Sequence, residues 1–199
     1  MRFADAWRGL YQPAMDEVRS GRRGWTKLDD LHRESLVRLL GELKIGGLKE
    51  AEIDDLNRAW HRLDPWPDAV PGLTRLKSRY ILATLSNGNI ALMVNMAKRA
   101  GLPWDTILGA EVAGAYKPQP KAYLRSAELL GLQPAECLMV AAHPGDLKAA
   151  AGYGFRTAYV PRPLEHGPGQ AGAPTQAPGE FDVVARDFMD LADQLGCPK

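Results

Sequence analysis

The first part of the chain carries apolar side chains at intervals of three and four residues. This spacing predicts helices over residues 3–19 and about 49–63. Between them, Thr26 and Asp29 have the spacing of a capping box that would open a third helix, and Gly46-Gly47 would end it. The apolar positions of that middle helix are Leu28, Leu31, Leu39, Leu40 and Leu43. The proline-rich Asp64-Pro65-Trp66-Pro67 then predicts a boundary between a helical domain, residues 1–64, and a second domain, residues 65–199.

Beyond this boundary, short apolar runs alternate with helix-like segments. The runs expected as strands cover residues 80–85, 106–111, 137–142, 157–160 and 181–185. The segments expected as helices cover residues 90–100, 121–130, 147–152 and 187–195. This alternation predicts an α/β fold with a Rossmann-like parallel sheet and right-handed crossovers. Residues 162–179 are rich in Gly, Pro and Ala and predict a loop.

Charge and cysteine content exclude several classes of protein. Lys and Arg total 25 and Asp and Glu total 24, without the basic excess of proteins that bind nucleic acid or membrane surfaces. Cys137 and Cys197 lack the spacing of metal ligands, and two cysteines do not make a disulfide framework. We therefore expect a cytoplasmic protein whose partners are neither nucleic acid nor membrane.

Polar residues follow three successive predicted strands. They are Ser86-Asn87-Gly88, Lys117-Pro118 and His143-Pro144-Gly145-Asp146. Each has a simpler interpretation alone: Ser86-Asn87 or Asp146 could cap a helix, Lys117 and His143 could be solvated, and Tyr123 could serve in packing. Because ligands bind at the carboxyl ends of parallel strands, the joint pattern predicts one site at this edge.

The same residues carry a resemblance to the haloacid dehalogenase superfamily, and within it to the type II 2-haloacid dehalogenases. Leu85-Ser86-Asn87-Gly88, Tyr116-Lys117-Pro118-Gln119-Pro120 with Tyr123, and Val140-Ala141-Ala142-His143-Pro144-Gly145-Asp146 match the family's motifs in order. The helices before Asp64 are then similar to the family's cap domain. The resemblance implies a hydrolase that releases halide from short 2-haloacids through an ester on an Asp nucleophile.

The resemblance also implies a role for each matching residue. Ser86 would be catalytic and hold the substrate carboxylate, Lys117 would keep the nucleophile ionised, and Asp146 would orient Lys117 and help to activate water. Asn87 would face the leaving halide, Tyr123 would support Lys117, and His143 would position water. The cap residue that contacts the halide stays open, with Arg8 as one candidate. A homodimer would follow from analogy with relatives.

The family's nucleophile lies on a leading strand in the middle of the sheet, and no part of this sequence matches that strand. We therefore expect the first central strand to be missing and the 199 residues alone to be inactive.

Two other functions compete with dehalogenation. A phosphatase of the same superfamily would place the first acid of a Gly-Asp-x-x-x-Asp pair where Ala142 stands and would bind Mg²⁺, so Ala142 favours carbon–halogen cleavage without a metal or other cofactor. A non-catalytic remnant that acts as a binding protein is the third hypothesis.

Overall fold

The computed structural model describes residues 3–165, 167 and 179–199. The chain begins with four α-helices and a 3-10 turn, and this confirms the helical character of the first part. These elements are α1 (Phe3–Gly9), α2 (Tyr11–Arg19), α3 (Leu28–Glu42), α4 (Glu50–Asn57) and the 3-10 turn Arg58–Arg62. We call them together the helical region. The first predicted helix is in fact two, which meet at Leu10.

The capping box expected at the start of α3 is wrong. Lys27 occupies the N-cap position, and no side chain caps the helix. The Thr26 hydroxyl donates to the carbonyl of Gly24 instead, and the Asp29 carboxylate accepts hydrogen bonds from residues far away in the sequence. The local pattern placed the Asp29 side chain at the helix end, but in the structure it bonds to residues that are distant in sequence.

Parallel strands alternate with helices in the rest of the chain, as expected. The elements are α5 (Ala69–Lys77), β1 (Ala83–Ser86), α6 (Ile90–Ala100), β2 (Thr106–Gly109), α7 (Ala110–Ala113), α8 (Pro120–Leu129), β3 (Leu138–Ala141), α9 (Pro144–Gly152), β4 (Arg156–Tyr159), β5 (Val183–Val184) and α10 (Phe188–Gln194). Helix α5 was not expected, although Val70, Leu73 and Leu76 have helical spacing. Pro71 lies in its first turn, where a missing N–H costs nothing. Most of the predicted loop 162–179, namely residues 166 and 168–178, lies outside the described residues.

The strands form two separate parallel sheets. Strand β1 pairs with β2, and β4 lies between β3 and β5. In the described part of the chain, no pairing joins β1 to β3. A cavity of about 1000 Å³ separates these two strands, and Leu85 of β1 and Met139 of β3 are among its lining residues. We call this cavity the cleft.

Helices cover both faces of the three-stranded sheet. On one face, Tyr123 of α8 and Leu147 of α9 pack against Met139. On the other face, Leu73 of α5 and Leu191 of α10 pack against Ala158. Burial of both faces explains why the strands read as continuous apolar runs.

The helical region packs beside the end of β2. Met15, Leu28 and Leu31 form one buried cluster with Ala110 and Tyr116. The Tyr116 hydroxyl donates to the carbonyl of Thr26 at 2.8 Å. These contacts place the helical region next to the strand ends that were expected to carry the site; the domain boundary after residue 64 stays a prediction. Among the described helices, none is long and apolar enough to cross a membrane.

Candidate functional site

Lys117 and Asp146 form a close ion pair at the carboxyl ends of the strands. Lys117 Nζ lies 2.5 Å from Asp146 Oδ2, and the two side chains are only 16% and 17% exposed. Lys117 follows α7, and Asp146 lies in the first turn of α9. Neither residue has the solvated environment of an ordinary surface charge, so the ammonium is held in a fixed direction.

Tyr123 completes this cluster from helix α8. Its hydroxyl donates to Asp146 Oδ1 at 2.5 Å, so both carboxylate oxygens of Asp146 are engaged. Burial raises the pKa of the Tyr123 phenol, and the neighbouring carboxylate raises it further. The phenol therefore stays protonated and acts as a permanent donor to Asp146.

Asn87 connects the end of β1 to the same cluster. Its Oδ1 accepts the backbone N–H of Lys117 at 2.9 Å, and its Nδ2 donates to the Tyr11 hydroxyl at 3.4 Å. Burial raises the pKa of Tyr11, so this hydroxyl also stays protonated. Asn87 thus joins the loop between α7 and α8, which we call the Lys117 loop, to helix α2 of the helical region.

Ser86 lies at the last position of β1, beside Asn87. Its Oγ accepts the backbone N–H of Gly88 at 2.9 Å, which leaves the hydroxyl hydrogen available for a ligand. The simpler interpretation of this pair as a helix cap does not hold, because the N-cap of α6 is Asn89. The structure therefore joins Ser86 to the Lys117–Asp146 cluster through its neighbour Asn87.

His143 lies at the outer edge of the site. Its side chain is 64% exposed, and Nε2 lies 2.9 Å from Glu165 Oε2. Arg8 of α1 also contacts Glu165, with 3.6 Å between Nη2 and Oε1. The imidazole thus contacts a carboxylate that also meets Arg8 of the helical region.

Two residues of this site carry no signal in the sequence pattern. Tyr11 occupies a position in a helical stripe that is typical of packing, and Glu165 lies in a loop without a recognisable motif. A local pattern cannot indicate either contact, because Asn87 is 76 positions from Tyr11 and His143 is 22 positions from Glu165.

Three comparisons with known proteins bear on this arrangement. Residues 4–154 match the haloacid dehalogenase-like hydrolases. The (S)-2-haloacid dehalogenase of Xanthobacter autotrophicus is 35% identical over 134 residues, which are 65% of this chain and 51% of that protein. The chain thus spans about half the length of the curated relatives that it matches.

Solved structures resemble almost the whole chain. The L-2-haloacid dehalogenase PA0810 superposes with a TM-score of 0.92 at 49% identity, over 96% of this chain and 82% of that one. The defluorinating L-2-haloacid dehalogenase Rha0230 gives the same TM-score at 52% identity, over 97% of this chain and 79% of that one. With its parallel strands, polar strand ends and matched motifs, the chain belongs to the haloacid dehalogenase-like hydrolases.

Proposed function

We propose that this protein takes part in the hydrolytic dehalogenation of short 2-haloalkanoic acids through an ester intermediate. The observation that carries the proposal is the buried Lys117–Asp146–Tyr123 cluster, which Asn87 joins to the end of β1. The similar proteins are named as 2-haloacid dehalogenases, which supports the same substrate class.

The nucleophile in this proposal is a carboxylate on a further strand that occupies the cleft. The facing edges of β1 and β3 have no strand partner in the described part of the chain, and neighbouring strands lie about 4.8 Å apart. One parallel strand would pair with both edges and bury its side chains between the two helical layers. Its carboxyl end would then lie beside Ser86 and Lys117. Ligands in such sheets bind at the carboxyl ends of the strands.

The reaction then has two steps. A carboxylate oxygen attacks C2 of the substrate, the carbon–halogen bond breaks, and halide leaves with the bonding electron pair. Water then adds to the carbonyl carbon of the ester, which releases the 2-hydroxyacid and restores the carboxylate. The Lys117 ammonium keeps the nucleophile ionised, because a nearby positive charge lowers the pKa of a carboxyl group.

The remaining residues bind the substrate, orient Lys117 or position water. The free hydroxyl hydrogen of Ser86 donates to the substrate carboxylate, while Asn87 faces the leaving halide together with Tyr11. Asp146 orients Lys117 and helps to activate water, and Tyr123 supports that pair. His143 contributes at the mouth of the site, where Glu165 holds its ring and where it can position water.

We propose that this chemistry needs no metal or other cofactor. The Asp146 oxygens that a cation would need are engaged by Lys117 and Tyr123. Ala142 stands where the first acid of the pair in a metal-dependent phosphatase would be required. An ammonium ion in a fixed position supplies the positive charge instead.

A cytoplasmic location is also part of this proposal, because Cys137 and Cys197 are free thiols. The helical region is proposed to act as a cap, and a homodimer is the proposed assembly. Size-exclusion chromatography with light scattering tests the assembly directly, and a monomer at micromolar concentration would overturn it.

The test of the function compares two proteins. One is the 199-residue chain, and the other is an extended form in which the family's leading strand with its Asp is joined ahead of residue 1. We expect halide release from 2-chloropropionate by the extended form alone, measured for each enantiomer separately. An extension with Asn in place of Asp is the matched control, since it fills the cleft without a nucleophile.

Three outcomes would contradict the proposal. Halide release by the 199-residue chain would show that the nucleophile lies within it. Equal activity of the Asp and Asn extensions would exclude the ester mechanism. Hydrolysis of p-nitrophenyl phosphate with Mg²⁺, without halide release, would favour a phosphatase.

A further inference from the structure

Asp29 and Asn89 join the helical region to the loop that carries Ser86 and Asn87. Asn89 Nδ2 donates to Asp29 Oδ2 at 2.8 Å, and the backbone N–H of Asp29 donates to Asn89 Oδ1 at 3.2 Å. Asn89 is 2% exposed, so these two hydrogen bonds are sheltered from water. The side chain of Asn89 is therefore held at both ends by a single residue of α3.

A second set of contacts fixes Asp29 itself. Asn95 Nδ2 lies 2.9 Å from His61 Nδ1, and His61 Nε2 lies 2.9 Å from Asp29 Oδ1. Since the Asn95 amide donates to Nδ1, His61 carries its hydrogen on Nε2 and donates to Asp29. The carbonyl of Asp29 accepts from Asn57 Nδ2 at 3.0 Å. Both carboxylate oxygens are used, so Asp29 has one defined orientation.

Stability alone does not explain a buried polar pair at this place. Buried charges carry a desolvation cost, and apolar side chains of similar volume are often as stabilising or more so. A polar pair does require one relative orientation of its two partners, because any slip leaves a buried donor or acceptor unpaired. Orientation is what the adjacent residues need, since Asn87 must reach both Lys117 and Tyr11.

We propose that Asp29 and Asn89 are positioning residues for the reaction. They hold loop 86–89 against the helical region, so that Ser86 and Asn87 face the Lys117–Asp146 cluster. This inference rests on the proposed function for its catalytic meaning. Its structural content, the coupling of Asp29 to the Lys117 loop, can be measured separately.

A swap of the two residues, Asp29→Asn with Asn89→Asp, would rebuild every hydrogen bond between positions 29 and 89. In Asn89→Asp alone, two carboxylates face each other. In Asp29→Asn alone, the new amide directs its N–H groups toward His61 Nε2–H or toward the amide of Asn89. In the double variant, the side-chain amide at position 29 donates to the carboxylate at position 89 and accepts from His61, while the backbone carbonyl of residue 29 still accepts from Asn57.

The test measures both variants and the swap in the extended form. Native-state hydrogen exchange follows the N–H groups of Lys117 and Gly88, which donate to Asn87 and Ser86. We expect each single variant to speed their exchange, and the swap to restore it, while Ala158 in β4 keeps its rate. The kcat/KM for 2-chloropropionate should fall about tenfold or more in the single variants and recover in the swap.

Arg99→Ala is the matched control, because Arg99 of α6 contacts Asp64, just after the helical region, at 3.0 Å but is 49% exposed. It should leave exchange and kcat/KM unchanged. Unchanged exchange at Lys117 and Gly88 in both single variants, or no recovery in the swap, would overturn the inference. An inactive extended form would overturn the proposed function, and the exchange data would still decide whether Asp29 and Asn89 position the loop.

Discussion

Gly109 and Ser86 lie in register at the ends of β2 and β1, closer than any other residue type would allow. A Cβ placed on Gly109 would lie 2.3 Å from the backbone oxygen of Ser86, and the φ of Gly109 is +125°. Glycine is needed here for both reasons, and the close approach fixes where the Ser86 hydroxyl is presented.

Gly109→Ala should therefore reduce stability and activity together. The added methyl group must push the Ser86 backbone away, and the positive φ adds strain, with a loss of at least about 2 kcal/mol in the free energy of unfolding. Urea denaturation of the extended form measures this loss. Gly152→Ala, in α9 and with nothing within 4 Å, is the control and should be neutral or slightly stabilising. Equal stability of the two variants would contradict this account.

Lys117→Met tests the charge at the centre of the site. It removes the ammonium and leaves the largely buried Asp146 carboxylate with a hydrogen bond from Tyr123. In the extended form, we expect the kcat for halide release to fall roughly 100-fold or more, because a fixed electrostatic contact is lost. The unfolding free energy should drop by roughly 1–3 kcal/mol. Lys98→Met, at an exposed position on α6, should change neither quantity, and activity retained in Lys117→Met would refute the assigned role.

His32 predicts a pH dependence of stability. Its ring is 6% exposed and lies against Trp7 and Trp60, and burial lowers its pKa from 6.5 to about 4. Between these two values the unfolded chain binds a proton that the folded chain does not, so stability falls as pH falls. The expected loss between pH 6.5 and 5 is about 2 kcal/mol.

His32→Phe should remove this contribution, because phenylalanine keeps the aromatic packing and does not titrate. Urea denaturation at pH 5, 6.5 and 8 should give a steeper fall below pH 6.5 for the wild type than for the variant. The difference between the two proteins should level off by about pH 8, where His32 is neutral in both states. Identical profiles across the whole range would contradict the lowered pKa.

Arg162 and Asp68 anchor the loop after β4 to the start of α5. Two parallel hydrogen bonds of 2.8 Å join them, the side chains are 12% and 15% exposed, and the guanidinium stacks on Trp66 and Phe188. Arg162→Lys keeps the charge but loses the paired hydrogen bonds to Asp68 and the stacking. We therefore expect a loss of roughly 1–3 kcal/mol in the free energy of unfolding.

Arg186→Lys is the matched control for this prediction. Arg186 pairs with Asp190 at the surface and is 85% exposed, so the same substitution should cost about 0.5 kcal/mol or less. A thermal or urea melt of the two variants side by side gives the comparison. The prediction fails if both substitutions have the same small effect.

The sequence by itself determined the fold class and which polar residues lie near one another. Helical and strand spacings are local properties of the chain, and the alternation of strands and helices predicts that the polar residues after β1, β2 and β3 lie at one carboxyl edge. For this reason the order of the motifs along the chain is enough to group Asn87, Lys117 and Asp146 in one cluster. Helix α5 is the exception among the longer elements, since its apolar spacing is present but was not predicted as a helix.

Only the tertiary structure decided which partners these side chains have. Asp29 has the spacing of a helix cap, but it bonds to His61 and Asn89, and His143 faces Glu165. The physical reason is that a hydrogen bond depends on distance in space, while a sequence pattern records distance along the chain. The family resemblance predicts a missing central strand, but the cavity that separates β1 from β3 is a property of packing.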